Sequence, residues 1–251
     1  MKKPETLKKI KRIAELFVEI REDNNLLYQD TDRHARLVAE ARGLLAEEDV
    51  IELTSSIEEI FVLIDINEDF TRMKGSPYKN PYMEAIINPT NGVAKRFHEE
   101  DNKLMLVIND EHTEDSVEFE TLNPGNPLVH CIKGTHGAEY VDELKWVTGL
   151  YPVFKKNTTM SAHAPGYLDI FNIFPNLKRV YFAGGVTDIC YIEGILPTIK
   201  YFDQHNIPGI EVIAVEEIYD TYDAPWHARE EWNNMAERFI TQAGAKLIKK
   251  L

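Results

Sequence analysis

The chain has 251 residues, a formal charge of -14 and 43% hydrophobic residues, enough for one sizeable α/β domain of ordinary soluble composition. Its lysines and arginines are scattered, which argues against nucleic-acid partners and against anionic membrane surfaces. No apolar stretch approaches the roughly 20 residues that span a bilayer, and the opening MKKPETLKK leads into an amphipathic pattern rather than a secretory leader. A cytoplasmic protein is therefore expected, with Cys131 and Cys190 as free thiols.

Pro4 marks a helix start, and Leu7, Ile10, Ile13, Leu16, Phe17 and Ile20 follow at spacings of three and four. A second helix is expected after Thr31, with Ala35, Val38, Ala41, Leu44 and Leu45 on its buried face. Residues 1–56 thus read as a helical hairpin extension whose stripes need cover from the core or from another subunit. At Ile60 the texture changes to IFVLIDI, a β-branched apolar run suited to a central parallel strand. Further runs at 104–108, 153–154, 180–183 and 212–215 alternate with helical segments at 84–99, 188–205 and 225–243. Pro197 falls inside the second of these helices and is expected to kink it. The alternation predicts a three-layer α/β/α domain over residues 57–251, with a central, mostly parallel sheet of Rossmann-like type.

In such a sheet, side chains that do chemistry collect beyond the carboxyl ends of the strands. Asp65 stands at the end of the first run among apolar neighbours, where desolvation raises a carboxyl pKa and suits it to accept a proton. Alone, it reads equally well as a turn aspartate. Lys155 and Lys156 follow the run ending at Phe154, where one ammonium can stabilise a thiolate or an oxyanion. Cys190 closes RVYFAGGVTDIC, a strand followed by two glycines and a turn into a helix, a setting that favours a reactive thiol over a buried packing one. Asp110 and His112, two apart on an extended segment, point the same way, and His130 can complete a set of one carboxylate and two imidazoles. Such N/O donors suit Zn²⁺, Mn²⁺ or Fe²⁺, with Glu120 as a possible further oxygen. By spacing alone, two loop histidines are more often surface residues.

The order of these places resembles the isochorismatase-like cysteine hydrolases. Asp65, Asp69 and Phe70 in LIDINEDF fit a D-x-Q-x-D-F-like motif with Asn67 in place of glutamine, and VFKKNTTMSA carries the lysine. Gly184 or Gly185, Val186, Thr187, Asp188 and Cys190 fit G-x-x-T-D-x-C. The resemblance implies Asp65, Lys156 and Cys190 as catalytic residues, a cis peptide bond between Val186 and Thr187, and an oxyanion met by backbone N–H groups of that turn. Within the family, Asp110, His112 and His130 resemble the metal site of nicotinamidases. Two departures stand out: Pro127 occupies the position three before the last histidine, where nicotinamidases commonly place a ring-stacking aromatic, so that Phe70 supplies only one wall, and Glu120 matches an extra acidic position only with a one-residue shift. Cys131 corresponds to a non-catalytic position.

What the resemblance implies is a metal-dependent amidohydrolase of nicotinamide or a similar small amide, acting through a Cys190 thioester, with members often homo-oligomeric. Two other readings stay open: a metal-free hydrolase of another small substrate, and a non-catalytic binding protein on the same fold.

Overall fold

The computed structural model describes residues 2–24 and 31–251. Six strands, β1 Glu59–Ile64, β2 Lys103–Asp110, β3 Val153–Lys156, β4 Arg179–Gly185, β5 Glu211–Asp220 and β6 Lys246–Ile248, form one sheet in the order β3-β2-β1-β4-β5-β6. Every pairing is parallel. Each side chain of β1 is buried, as expected of a central strand with helices on both faces. β6 adds a strand to those read from the sequence; its three partly exposed residues are too short to carry a pattern.

Helices α1 Pro4–Asn24, α2 Thr31–Leu45 and α3 Glu48–Ser56 precede the sheet. α4 Glu68–Thr71, α5 Pro81–Ala85 and α6 Ile87–Glu99 connect β1 to β2, and α7 Val117–Leu122 and α8 Lys145–Leu150 lie between β2 and β3. α9 Ile192–Gln204 leads from β4 to β5, and α10 Arg229–Ala243 from β5 to β6. α9 runs through Pro197 without ending. α10 starts at Arg229 rather than at 225, because Ala224 and His227 first exchange two backbone hydrogen bonds of 2.9 Å.

The N-terminal stripe is buried, and on two sides. Leu7, Ile10, Ile13 and Ala14 of α1 enter the same core as β1, β2 and β4, while Leu16 packs with Leu37 and Ala41 of α2. Ala35, expected on the buried face of α2, is exposed, and Leu37, two residues on and nearly opposite on the helix, is buried instead. α3 completes the segment, with Val50 and Leu53 in the main core. Lys2 ties the chain start to the sheet layer by donating to the carbonyls of Phe97, His98 and Glu100 at the end of α6.

The strand order reverses between β1 and β4, the switch point at which an open α/β sheet leaves a crevice. Two backbone features shape the chain there. β1 ends at Ile64, so Asp65 lies beyond the strand with φ +50°, a left-handed conformation that aspartate tolerates. Gly184 has φ +111°, and a Cβ there would stand 1.8 Å from the Ile64 carbonyl oxygen, so only glycine lets β4 pass the end of β1. The cis bond lies between Gly185 and Val186, one residue before the expected Val186–Thr187 bond. The glycine pair marked the turn in the sequence but did not say which of its bonds is cis.

Candidate active site

Three of the sequence-selected residues meet beyond the ends of β1, β3 and β4. Lys156 is fully buried, with Nζ 2.8 Å from Asp65 Oδ2, 3.0 Å from Asp110 Oδ1 and 3.8 Å from Cys190 Sγ. Lys155, its neighbour, points the other way along the strand, as side-chain alternation requires, and pairs on the surface with Glu111 at 2.7 Å. Cys190 sits in a single π turn, Thr187–Tyr191, that leads into α9. The Val186 carbonyl accepts from the N–H groups of Ile189 and Tyr191, and buried Ser161 donates to the Cys190 carbonyl at 2.9 Å. The segment after Lys156 thus returns to hold the backbone of Cys190.

Asp110 joins this group to a second one. Its Oδ2 lies 3.0 Å from His112 Nε2 and 3.3 Å from His130 Nε2, and donor atoms of the three buried residues all lie within 4.8 Å of one another. The Leu128 carbonyl accepts from His130 Nδ1 at 2.9 Å, which leaves Nε2 as a lone-pair donor. A tetrahedral ion with bonds of about 2.0–2.1 Å spaces its ligands about 3.3 Å apart, close to the 3.0 and 3.3 Å between Asp110 Oδ2 and the two imidazoles. Asp65 and Asp110 share a single buried ammonium, and a cation at the imidazole side of Asp110 would add a second counter-charge.

Glu120 is not part of this set. It is exposed and accepts from the Gly125 N–H at 2.7 Å. Both Glu118 and Glu120 lie on α7, and residues two apart on a helix face in nearly opposite directions. Glu118 is the one turned inward, with Oε2 3.6 Å from His112 Nε2 and Oε1 accepting from the Thr159 N–H.

A cavity of ≈ 460 Å³ opens onto both groups, with Asp110, His130, Lys156, Val186 and Cys190 on its wall. Phe70 is there as expected, its ring 5.3 Å from that of His130. Pro127 offers no aromatic surface, but Tyr78 also lines the cavity, its ring 4.5 Å from His130 and 6.0 Å from Phe70. Tyr222 and Trp226 add aromatic surface from the loop after β5, and Trp226 is 80% exposed at the rim.

A family model described as the isochorismatase domain matches residues 59–246. The chain belongs to the isochorismatase family. Among solved structures it is similar to a zinc complex of the pyrazinamidase of Pyrococcus horikoshii, at 23% identity and TM-score 0.61 over 76% of this chain and 99% of that one. It is also similar to the nicotinamidase of Bacillus subtilis, at 19% identity and TM-score 0.59 over 77% and 100%. The N-carbamoylsarcosine amidase of Thermoplasma acidophilum aligns at 19% identity and TM-score 0.58 over 77% and 96%. No curated protein matches the chain. Residues 1–56 lie outside the family model, although α1 shares its core. No helix among the described residues is long and apolar enough to cross a membrane.

Electrostatics in this isochorismatase family member differ from a standing thiolate. Burial pushes the Cys190 thiol well above its ordinary pKa; Lys156 pulls it down, but Asp65 and Asp110 push it further up. The sequence expectation of a reactive thiol stabilised by a lysine left out Asp110, a second carboxylate contributed by a different strand. Burial likewise raises Asp65, to about 6, against the pull of Lys156. Asp110 resists burial and is held well below the usual carboxylate range by Lys156, His112 and His130. Lys156, despite burial, is kept well above its ordinary pKa by Asp110 and Asp65. Burial and the two carboxylates thus favour the neutral thiol, while Lys156 favours the ionised form of Asp65.

Proposed function

We propose that the chain is a metal-dependent cysteine amidohydrolase that converts nicotinamide, or a similar small amide, to the acid and ammonia. The observation that carries this reading is the shared Asp110: its one oxygen meets Lys156 of the nucleophile group and its other meets both imidazoles. Asp65 takes the Cys190 proton as Sγ adds to the amide carbonyl carbon, so the thiolate exists only as it attacks. Lys156 holds Asp65 in place and balances the charge that moves between the two. With the amides of Ile189 and Tyr191 engaged by Val186, other N–H groups of the turn, that of Cys190 first, face the oxyanion. Asp65 returns its proton to the leaving nitrogen, ammonia departs and a thioester remains. Asp65 then deprotonates the water that cleaves the thioester, and the thiol is restored. Asp110, His112 and His130 would hold Zn²⁺, Mn²⁺ or Fe²⁺, which supplies a Lewis acid for a ring nitrogen and offsets the buried negative charge. Phe70 and Tyr78 enclose a flat ring beside it.

The test is ammonia release from nicotinamide by the protein as purified, after chelation, and after return of each metal. Chelation is expected to lower kcat/KM at least about tenfold, with recovery on re-addition. Full activity in a sample shown to be metal-free would end the metal dependence. No ammonia from nicotinamide, pyrazinamide or a panel of small amides would end the amidase reading.

The same mechanism fixes the sign of the pH dependence. A base must be ionised, so kcat/KM is expected to rise with pH through an acid limb near the Asp65 value of about 6 and to fall about tenfold per pH unit below it. A dication beside Asp110 favours the ionised form and moves that limb lower, never higher. A profile that climbs with decreasing pH would show that Asp65 serves first as an acid.

A further inference from the structure

A buried cluster directly behind the nucleophile takes no part in the proton transfers described above. Asp188, two residues before Cys190 in the π turn, accepts the Thr221 hydroxyl on Oδ1 and His227 Nε2, at 3.0 Å, on Oδ2. His227 Nδ1 lies 3.0 Å from the Tyr222 carbonyl oxygen. The imidazole is 3% exposed and lies flat between two rings, Tyr222 at 3.7 Å and 16° and Trp232 at 4.7 Å and 5°. The sandwich fixes the plane of the ring, and the two hydrogen bonds fix its rotation within that plane.

What the ring connects matters more than its burial. A π turn is wider and less favourable than an α turn, so the position of Cys190 depends on contacts from outside the turn. Ser161 holds the Cys190 carbonyl from the β3 side; Asp188 holds the turn from the β5 side. The partner segment of Asp188 is the loop whose Tyr222, Asp223, Ala224 and Trp226 form one wall of the cavity. We propose that His227 is a positioning residue that ties the Cys190 turn to this wall, so that nucleophile and substrate-facing surface hold one relative position. The proposal rests on the reading of Cys190 as the nucleophile.

His227→Phe tests it, because phenylalanine keeps a flat ring between Tyr222 and Trp232 and removes both hydrogen bonds. Two readouts are needed. The first is ammonia release: kcat is expected to fall about tenfold or more, equivalent to about 1.4 kcal/mol, while KM changes less than about threefold because the stacked wall remains. The second is the labelling rate of each cysteine by iodoacetamide, resolved by peptide mass spectrometry. A loosened turn exposes its thiol, so Cys190 should label at least about fivefold faster while buried Cys131 stays at the wild-type rate. Asp188→Asn is expected to act in the same direction, and the double variant should lose no more kcat than the worse single one, since the His227 link ends on Asp188, which also holds Thr221.

Cys190 labelling and kcat both within about twofold of wild type in His227→Phe would overturn the proposal, as would additive losses in the double variant. Faster labelling of both cysteines would mean global unfolding, and Asp188→Asn would then decide by the same two readouts. If the wild type hydrolyses no amide, the amidase reading fails, and the labelling rates still decide whether His227 holds the turn.

Discussion

Cys190→Ala is expected to lower kcat for amide hydrolysis by about 10⁴-fold or more while leaving the fold intact. Without the sulfur no thioester forms, and the remaining groups provide only binding and charge stabilisation, which elsewhere leave a small residual acceleration. The loss corresponds to about 5 kcal/mol of transition-state stabilisation. Little else depends on this side chain, since the turn is held through the Cys190 backbone carbonyl and through Asp188, so substrate affinity should change by no more than about threefold. Single-turnover ammonia release alongside ligand-binding titration separates the two quantities. A variant that still turns over amide at more than about one hundredth of the wild-type rate would remove the thioester from the mechanism.

Lys156→Met is expected to damage both stability and activity. The methionine fills a similar volume, but it leaves Asp65 and Asp110, both buried, facing each other without the ammonium that now lies 2.8 and 3.0 Å from them. Breaking a buried ion pair from one side costs about 3–5 kcal/mol. The pH sign follows from the carboxylates. Removing Lys156 takes away a pull that lowers both, so Asp65, already raised by burial, rises further and contributes stability at low pH that is lost as pH rises, while Asp110 loses part of what holds it down. The deficit of the variant should therefore be smaller near pH 5 than near pH 8, which urea unfolding at the two pH values measures. A metal at the Asp110 set would soften the loss, so the comparison is made on chelated samples. Activity should fall by about 10² to 10⁴. Equal stability of variant and wild type at both pH values would mean that Lys156 is not the counter-charge of the two acids.

Much of the site could be read before folding because its residues follow strand ends, and an apolar run followed by a polar residue is a local signal. Asp65, Asp110, Lys156 and Cys190 were all selected on that basis. Local signals failed where the answer depended on orientation. Glu118 and Glu120 are equivalent in composition, and only the facing of α7 shows that the first turns toward His112. Tyr78 lies in an irregular segment with no periodicity to mark it, and it reaches His130 because α4 and α5 fold that segment over the cavity. His227 was hidden for a similar reason: its partners Asp188 and Trp232 come from different elements.

Hydrophobic periodicity and turn chemistry act over a few neighbouring residues, so the layered α/β architecture, the approximate strands and the candidate reactive groups were legible along the chain. Which charges surround the thiol depends instead on how distant segments pack. Asp65, Asp110 and Lys156 arrive from three segments, and burial with the two carboxylates pushes the Cys190 thiol up against the pull of Lys156, opposite to the direction in which a helix N-terminus alone would move it. Electrostatic interactions in a dry interior act through space over several ångströms, so their sum is fixed by the packing of distant segments and cannot be obtained from any one of them.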